Sequence, residues 1–174
     1  MAPVISEETG ITIARKAMSK IVIFSCFLLL LVTIQGCSDV ALIDTNQEIR
    51  SRNWSYPQKV RIPVEIKDPD RLYNVYMNLR HTADYKYSNI FVLIHQAGPG
   101  MKNLTERREF KLAYPDGEWL GSGSGNFYSY QLPFRENYKF PAKGTYTFEF
   151  EQNMRDNPLR EVSDVGLRVE PVAK

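Results

Sequence analysis

The sequence predicts an all-β protein: a single antiparallel β-sandwich, Ig-like or jelly-roll-like, of about seven or eight strands behind a cleaved N-terminal signal. Three observations predict it. Apolar and polar residues alternate at period two through most of the chain after residue 58. No stretch there sustains helical periodicity beyond two turns. Gly, Pro, Asn and Asp clusters punctuate the alternating runs at strand-like spacing.

The elements follow in order. In "KVRIPVEIK", Val60, Ile62, Val64 and Ile66 share one face, and Pro63 on the other marks an edge strand or a bulge, because proline cannot donate to a ladder. Asp68-Pro69-Asp70 is a turn. In "YNVYMNLRH", Tyr73, Val75, Met77 and Leu79 face inward. "NIFVLIHQ" from Asn89 is apolar on both faces and predicts a central strand covered on both sides. "REFKLAY" places Phe110, Leu112 and Tyr114 inward, and Pro115-Asp116-Gly117 turns the chain. "GSGSGN" over 121–126 is expected as a flexible loop, followed by a short strand in "FYSYQLPF". "GTYTFEFEQ" sends Tyr146, Phe148 and Phe150 inward, with Thr145, Thr147, Glu149 and Glu151 toward water. One helical turn is expected at Leu159 to Val162. "VGLRVEPV" closes the fold with Val165, Leu167 and Val169 on one face.

Ahead of the strands, "IVIFSCFLLLLVTI" over 21–34 is an apolar run preceded by Arg15, Lys16 and Lys20. It ends in Ile34-Gln35-Gly36-Cys37, which resembles a bacterial lipobox. As a helix, these residues give about 21 Å against roughly 30 Å of hydrocarbon, too short for an ordinary span. A soluble secretory signal prefers a small residue where Ile34 stands. The reading is therefore a lipoprotein signal over 1–36, with Met18 as the expected true start because Glu7 and Glu8 sit where an export signal wants positive charge. Cys37 is the expected lipid-attachment site, and two or three acyl chains there give stable anchoring. Residues 37–57 are expected as a lipidated N-terminus and tether on which Trp54 and Tyr56 dock, and 58–174 as the sandwich. A lone Asp39 after the cysteine points to the periplasm-facing side of the outer membrane.

Composition narrows the function. Removing 36 of 174 residues leaves 138, one domain's worth. The whole chain carries 22 basic and 20 acidic residues, too even a balance for a nucleic-acid partner. Of the two cysteines, Cys26 leaves with the signal and Cys37 is acylated, so no disulfide is expected.

Chemistry is sparse. His81, Asp84 and His95 fall short of three or four convergent metal ligands, so no metal and no cofactor is expected. The letters Gly-Ser-Gly-Ser-Gly over 121–125 lack the strand and helix of a nucleophile elbow and the Lys-Ser/Thr ending of a phosphate loop. Glu149 and Glu151 lie roughly 6–7 Å apart on one strand, within reach of glycoside chemistry, but a solvated strand face accounts for them. Exposed aromatics remain: Trp119, Phe127 and Tyr128 beside the glycine loop, with Tyr130 nearby, and Tyr85 and Tyr87 in another loop. They form the candidate interaction surface, able to anchor a protein or to stack a sugar. Aromatic caps on the core are the plainer account of each.

Three stretches carry a family resemblance: "YNVYMNLRHTADYKYSNIF" at 73–91, "YPDGEWLGSGSG" at 114–125 and "GTYTFEFEQNMRDNPLREVSDVGLRVE" at 144–170. With the lipobox they resemble the GldH gliding-motility lipoproteins of the Bacteroidetes. The resemblance implies an envelope lipoprotein tied to the gliding machinery and its associated secretion system, working through envelope protein partners and without catalysis. The family's recurring residues fall here at Arg80, His81, Asp84, Tyr85, Ser88, Asn89, Gly117, Trp119, Gly121, Gly144, Tyr146, Gln152, Met154, Arg155 and Leu159. A glycan-binding envelope module, stacking sugar on Trp119, is the alternative.

Overall fold

Side chains that alternate along each strand need a second layer to cover their apolar half, and two sheets supply it. The computed structural model describes residues 41–173. Eleven strands appear in the described residues, with no α-helix. They are β1 (Ile43–Glu48), β2 (Asn53–Trp54), β3 (Val60–Ile66), β4 (Leu72–Thr82), β5 (Asn89–Ala97), β6 (Leu104–Lys111), β7 (Ser122–Ser124), β8 (Phe127–Lys139), β9 (Gly144–Gln152), β10 (Leu159–Arg160) and β11 (Val162–Pro171). One antiparallel sheet runs β1-β11-β4-β8-β7 and the other β3-β9-β5-β6, with a short β10-β2 ladder beside them.

The inward alternation read from the sequence is the core. Val75, Met77, Val165, Leu167 and Val169 from one sheet, and Ile66, Ile90, Val92, Tyr146, Phe148 and Phe150 from the other, are fully buried. Phe134 reaches across, edge-on to Phe148 at 5.8 Å and to Phe150 at 5.9 Å. Pro63 lies on β3, an edge of its sheet, where a missing N–H leaves no gap in the ladder. Gly166 permits the β1–β11 pairing: a Cβ there would stand 2.1 Å from the Thr45 carbonyl oxygen. Asp44 then ties β1 down through the Arg168 guanidinium at 2.7 Å.

Several expectations change. The strands outnumber the expected seven or eight because short pieces pair where loops were expected. Ser122–Ser124 in the glycine loop is β7, hydrogen-bonded to β8, and the loop shrinks to the turn at Gly125-Asn126. Leu159 to Val162 is not a helical turn: Leu159 and Arg160 pair with Trp54 and Asn53, and Glu161 takes a positive φ of 68° before β11. Residues expected in the tether form β1 and β2, and the Trp54 side chain is 0% exposed. The outer face of β5 is only half covered, by Arg107 over the Phe91 ring at 3.8 Å and by His95 near Glu151 at 3.2 Å. The signal segment and Cys37 lie outside the described residues.

Glu149 does not face open water. It is buried under Arg61 at 2.6 Å and Lys59 at 3.2 Å. Desolvation pushes its pKa up, but the hydrogen bonds from Arg61 and Lys59 outweigh that and hold it below its ordinary value of 4.5. A depressed native pKa contributes stability above the ordinary glutamate range and loses it as pH falls through the native value. Glu149→Gln is therefore expected to flatten the fall in thermal midpoint below pH 4.5, and an equally steep fall in both proteins contradicts the ion-pair account.

The topology gives the sandwich two distinct ends. Ile43, the β3–β4, β5–β6 and β8–β9 turns and Pro171 gather at one. The β4–β5 connection, the 112–121 segment and the 153–161 loop gather at the other. β4 spans between them over 11 residues, roughly 33 Å at 3.2–3.4 Å per residue.

Candidate functional site

The alternation that buries Tyr73, Val75, Met77 and Leu79 carries one step further, to His81. The last inward rung of β4 is therefore an imidazole, 0% exposed, where the two sheets open at the second end. Aromatic rings close around it. Tyr85 stacks at 4.8 Å and Tyr130 at 5.2 Å between centroids, and Trp119 meets the imidazole edge-on at 4.5 Å. Tyr128 lies 6.0 Å from His81 and 5.7 Å from Trp119.

Local structure fixes each ring. The Tyr85 N–H turns back to the Thr82 carbonyl at 3.1 Å, and the Tyr85 hydroxyl donates to Asn89 O, also at 3.1 Å. Trp119 is delivered by a bridge to Ala113, with the Leu120 N–H on Leu112 O at 2.8 Å. Tyr128 and Tyr130 sit on β8, opposite His81 and Leu79. Gly121 leaves room for Tyr130, since a Cβ there would stand 2.6 Å from the ring.

The polar atoms of the cluster settle its protonation. His81 Nδ1 lies 2.8 Å from the Thr82 carbonyl, which can only accept, so Nδ1 carries the proton. Nε2 lies 3.0 Å from the Tyr130 hydroxyl. That hydroxyl donates to Leu112 O at 2.9 Å, so the imidazole and the carbonyl compete for its one proton. Burial pushes the His81 pKa down from its ordinary value of 6.5, against a smaller upward pull from the Thr82 bond. Burial drives the Tyr130 hydroxyl up to about 12 and the Tyr85 hydroxyl higher still. None of these groups is poised to exchange a proton near neutral pH.

A prediction follows from the sign of the His81 shift. The unfolded chain takes up a proton at this histidine near pH 6.5, while the native chain resists it. Stability from this site is complete above pH 6.5 and is lost as pH falls through the lower native value. His81→Phe, which keeps an aromatic ring between Tyr85 and Tyr130, is expected to remove that pH dependence. An unchanged slope of thermal midpoint against pH contradicts it.

The expected exposed surface is thus partly a packed one. Tyr85 is 4% exposed and belongs to the core, a correction to its reading as an exposed loop aromatic. Trp119 and Tyr128 are half-buried, and Trp119 gives an edge contact to His81, not an open stacking face. Tyr87 touches Tyr85 at 6.0 Å and lines a hollow with Phe91, Arg107, Asn153, Met154 and Arg155. Phe127 lies elsewhere, on the outer face of its sheet beneath the Arg80 guanidinium at 5.2 Å. Beside Tyr87, a charged cleft of about 780 Å³ runs past Asp84, Lys86, Arg155, Asp156 and Arg160. Lys86 pairs with Asp156 at 3.2 Å. Sequence reasoning missed His81 and Tyr130 as the centre of this end. The signal was there: both continue the inward phase of their strands.

The other candidate constellations stay apart. His95 belongs to the opposite sheet, between Thr105 at 2.9 Å and Glu151 at 3.2 Å. Glu149 and Glu151 are bridged by Lys59. Among the described residues no group of three or more His, Cys, Asp or Glu side chains could hold a metal ion, and no helix is long and apolar enough to cross a membrane.

Fold and site define a β-sandwich whose one end is a histidine-centred aromatic knot rimmed by a charged cleft. The model of the family described as GldH lipoprotein matches residues 41–169, and the chain belongs to that family. It is 29% identical over 151 residues to the gliding motility lipoprotein GldH homolog of Christiangramia forsetii, covering 83% of this chain and 92% of that one. It is 26% identical over 150 residues to the gliding motility lipoprotein GldH of Flavobacterium johnsoniae, covering 82% and 92%. No solved structure matches it.

Proposed function

We propose that this protein is a lipid-anchored accessory factor of the gliding motility machinery and its associated secretion system, acting by holding an envelope protein at the His81 end of its sandwich. It is not an enzyme in this reading. Its lipid is carried by Cys37 after removal of 1–36, and its address is the outer membrane, facing the periplasm. Of the relatives named above, the Flavobacterium johnsoniae protein is a gliding motility lipoprotein and the Christiangramia forsetii protein is named as a homolog of one.

One observation carries the reading. The chain enters the sandwich at Ile43, at the end opposite His81 along β4. Ile43 lies six residue steps from Cys37, a reach of at most about 20–22 Å. A lipid on Cys37 therefore tethers the sandwich by its entry end, and the far end lies roughly 33 Å away along β4 at the rise of a strand. All the recurring family residues named above except Gly144 and Tyr146 lie at or beside that far end. Tyr87, Trp119 and Tyr128, with the cleft at Lys86 and Arg155, are the proposed contact residues. Tyr85 supports them from beneath, and Phe127 borders them on the outer face.

Affinity capture from detergent-solubilised membranes tests the proposal. Wild type is expected to retain envelope proteins that Arg155→Glu loses several-fold and that Lys143→Glu, at the entry end, keeps. Equal capture by both variants contradicts it. Deleting the gene is expected to impair colony spreading or protein secretion, and normal behaviour in both removes the machinery from the account.

A further inference from the structure

The outer face of the β1-β11-β4-β8-β7 sheet holds a hollow of about 480 Å³ that the proposed protein contact does not use. Asn46, Gly166, Asn78 and Gln131 stand in register across four strands there, with the Asn46 side chain lying over Gly166. The next rung adds Arg80 and Ser129, with Ser122 from β7, and Asp44 closes the other side.

The lining sorts possible ligands by chemistry. Arg168 is shared between Asp44 and Glu170, each at 2.7 Å, and Arg80 pairs with Asp164 at 2.6 Å. The one cation of the lining is thus already paired, which disfavours an anion, and among the described residues no group of three or more His, Cys, Asp or Glu side chains could hold a metal ion. The walls are mainly amides and hydroxyls, which disfavours a lipid or an apolar peptide. Asn46, Ser122, Ser129 and Gln131 find no side-chain partner among the described residues. At the back, Asn78 is 7% exposed: its Nδ2 donates to Asp44 at 2.6 Å, while its Oδ1 is buried without a partner.

We infer that this hollow is a binding site for a neutral saccharide of one or two sugar units. Its volume is that of a small-ligand pocket, and its unpartnered groups are the mixed donors and acceptors that sugar hydroxyls match. The amides of Asn46 and Gln131 and the hydroxyls of Ser122 and Ser129 grip the sugar from two sides. The hollow lies on the outer face of the sheet, and Tyr130 is the residue its lining shares with the aromatic knot.

The test is a printed array of neutral and acidic glycans probed with the full-length, detergent-solubilised lipoprotein. Wild type is expected to bind at least one neutral glycan. Gln131→Ala and Ser129→Ala, both exposed and unpartnered, are expected to weaken that binding about fivefold or more each, the loss of one hydrogen bond, with unchanged thermal midpoints. Lys102→Ala, outside the hollow, is expected to leave it intact. Failure to bind any neutral glycan, binding of acidic glycans alone, or binding unaffected by both hollow variants overturns the inference. Affinity capture of envelope proteins by Gln131→Ala reads the far-end proposal separately.

Discussion

Trp54→Ala is expected to cost about 3–5 kcal/mol of stability and to lower the thermal midpoint by about 10 °C or more. The indole is 0% exposed and is among the largest fully buried side chains. Its Nε1–H donates to Gln58 O at 2.7 Å, and its backbone pairs with Leu159 in the β2–β10 ladder. Truncation thus empties a core volume and loosens the ladder that pins the segment before β11. Trp54→Phe should retain much of the packing and lose the hydrogen bond, for an intermediate cost. Calorimetric melting checks both, and a Trp54→Ala midpoint within a degree or two of wild type contradicts this assignment.

Cys37→Ala is expected to have the largest effect on behaviour. A thioether-linked diacylglycerol needs the sulfur, so the variant should show no palmitate labelling. It should either leave the membrane fraction or persist uncleaved, because two or three chains are what makes attachment stable. Metabolic labelling and fractionation read it directly. Continued labelling of Cys37→Ala would place the lipid elsewhere or remove it from the account. The folded body is expected to be indifferent to this change, since the described strands begin at Ile43.

The fold was legible where one period ran long. Val60 to Ile66, Tyr73 to Leu79, Tyr146 to Phe150 and Val165 to Val169 each declared their buried face, and every apolar residue on that face is buried. Short pairings were not legible, because two or three residues carry no periodicity. Asn53–Trp54 and Leu159–Arg160 are strands only by virtue of each other, across more than a hundred residues of chain. Ser122–Ser124 reads as a loop from composition and becomes a strand through β8. Glu149 shows a different limit: a charged residue out of phase with the core is buried because Lys59 and Arg61 come from a separate strand. At the site, composition drew attention to Trp119 and the tyrosines, while the period of β4 already pointed at His81. Reading the two together places the imidazole among the rings, as found.

Site-specific photo-crosslinking in living cells tests the central claim most directly. A benzoylphenylalanine at position 87, at the His81 end, and another at position 143, at the entry end, are compared in the otherwise unaltered lipoprotein. The account predicts discrete protein adducts from position 87 and few or none from position 143. Adducts from 143 alone, or the same adducts from both, would contradict a protein held near the bilayer at one end and working from the other.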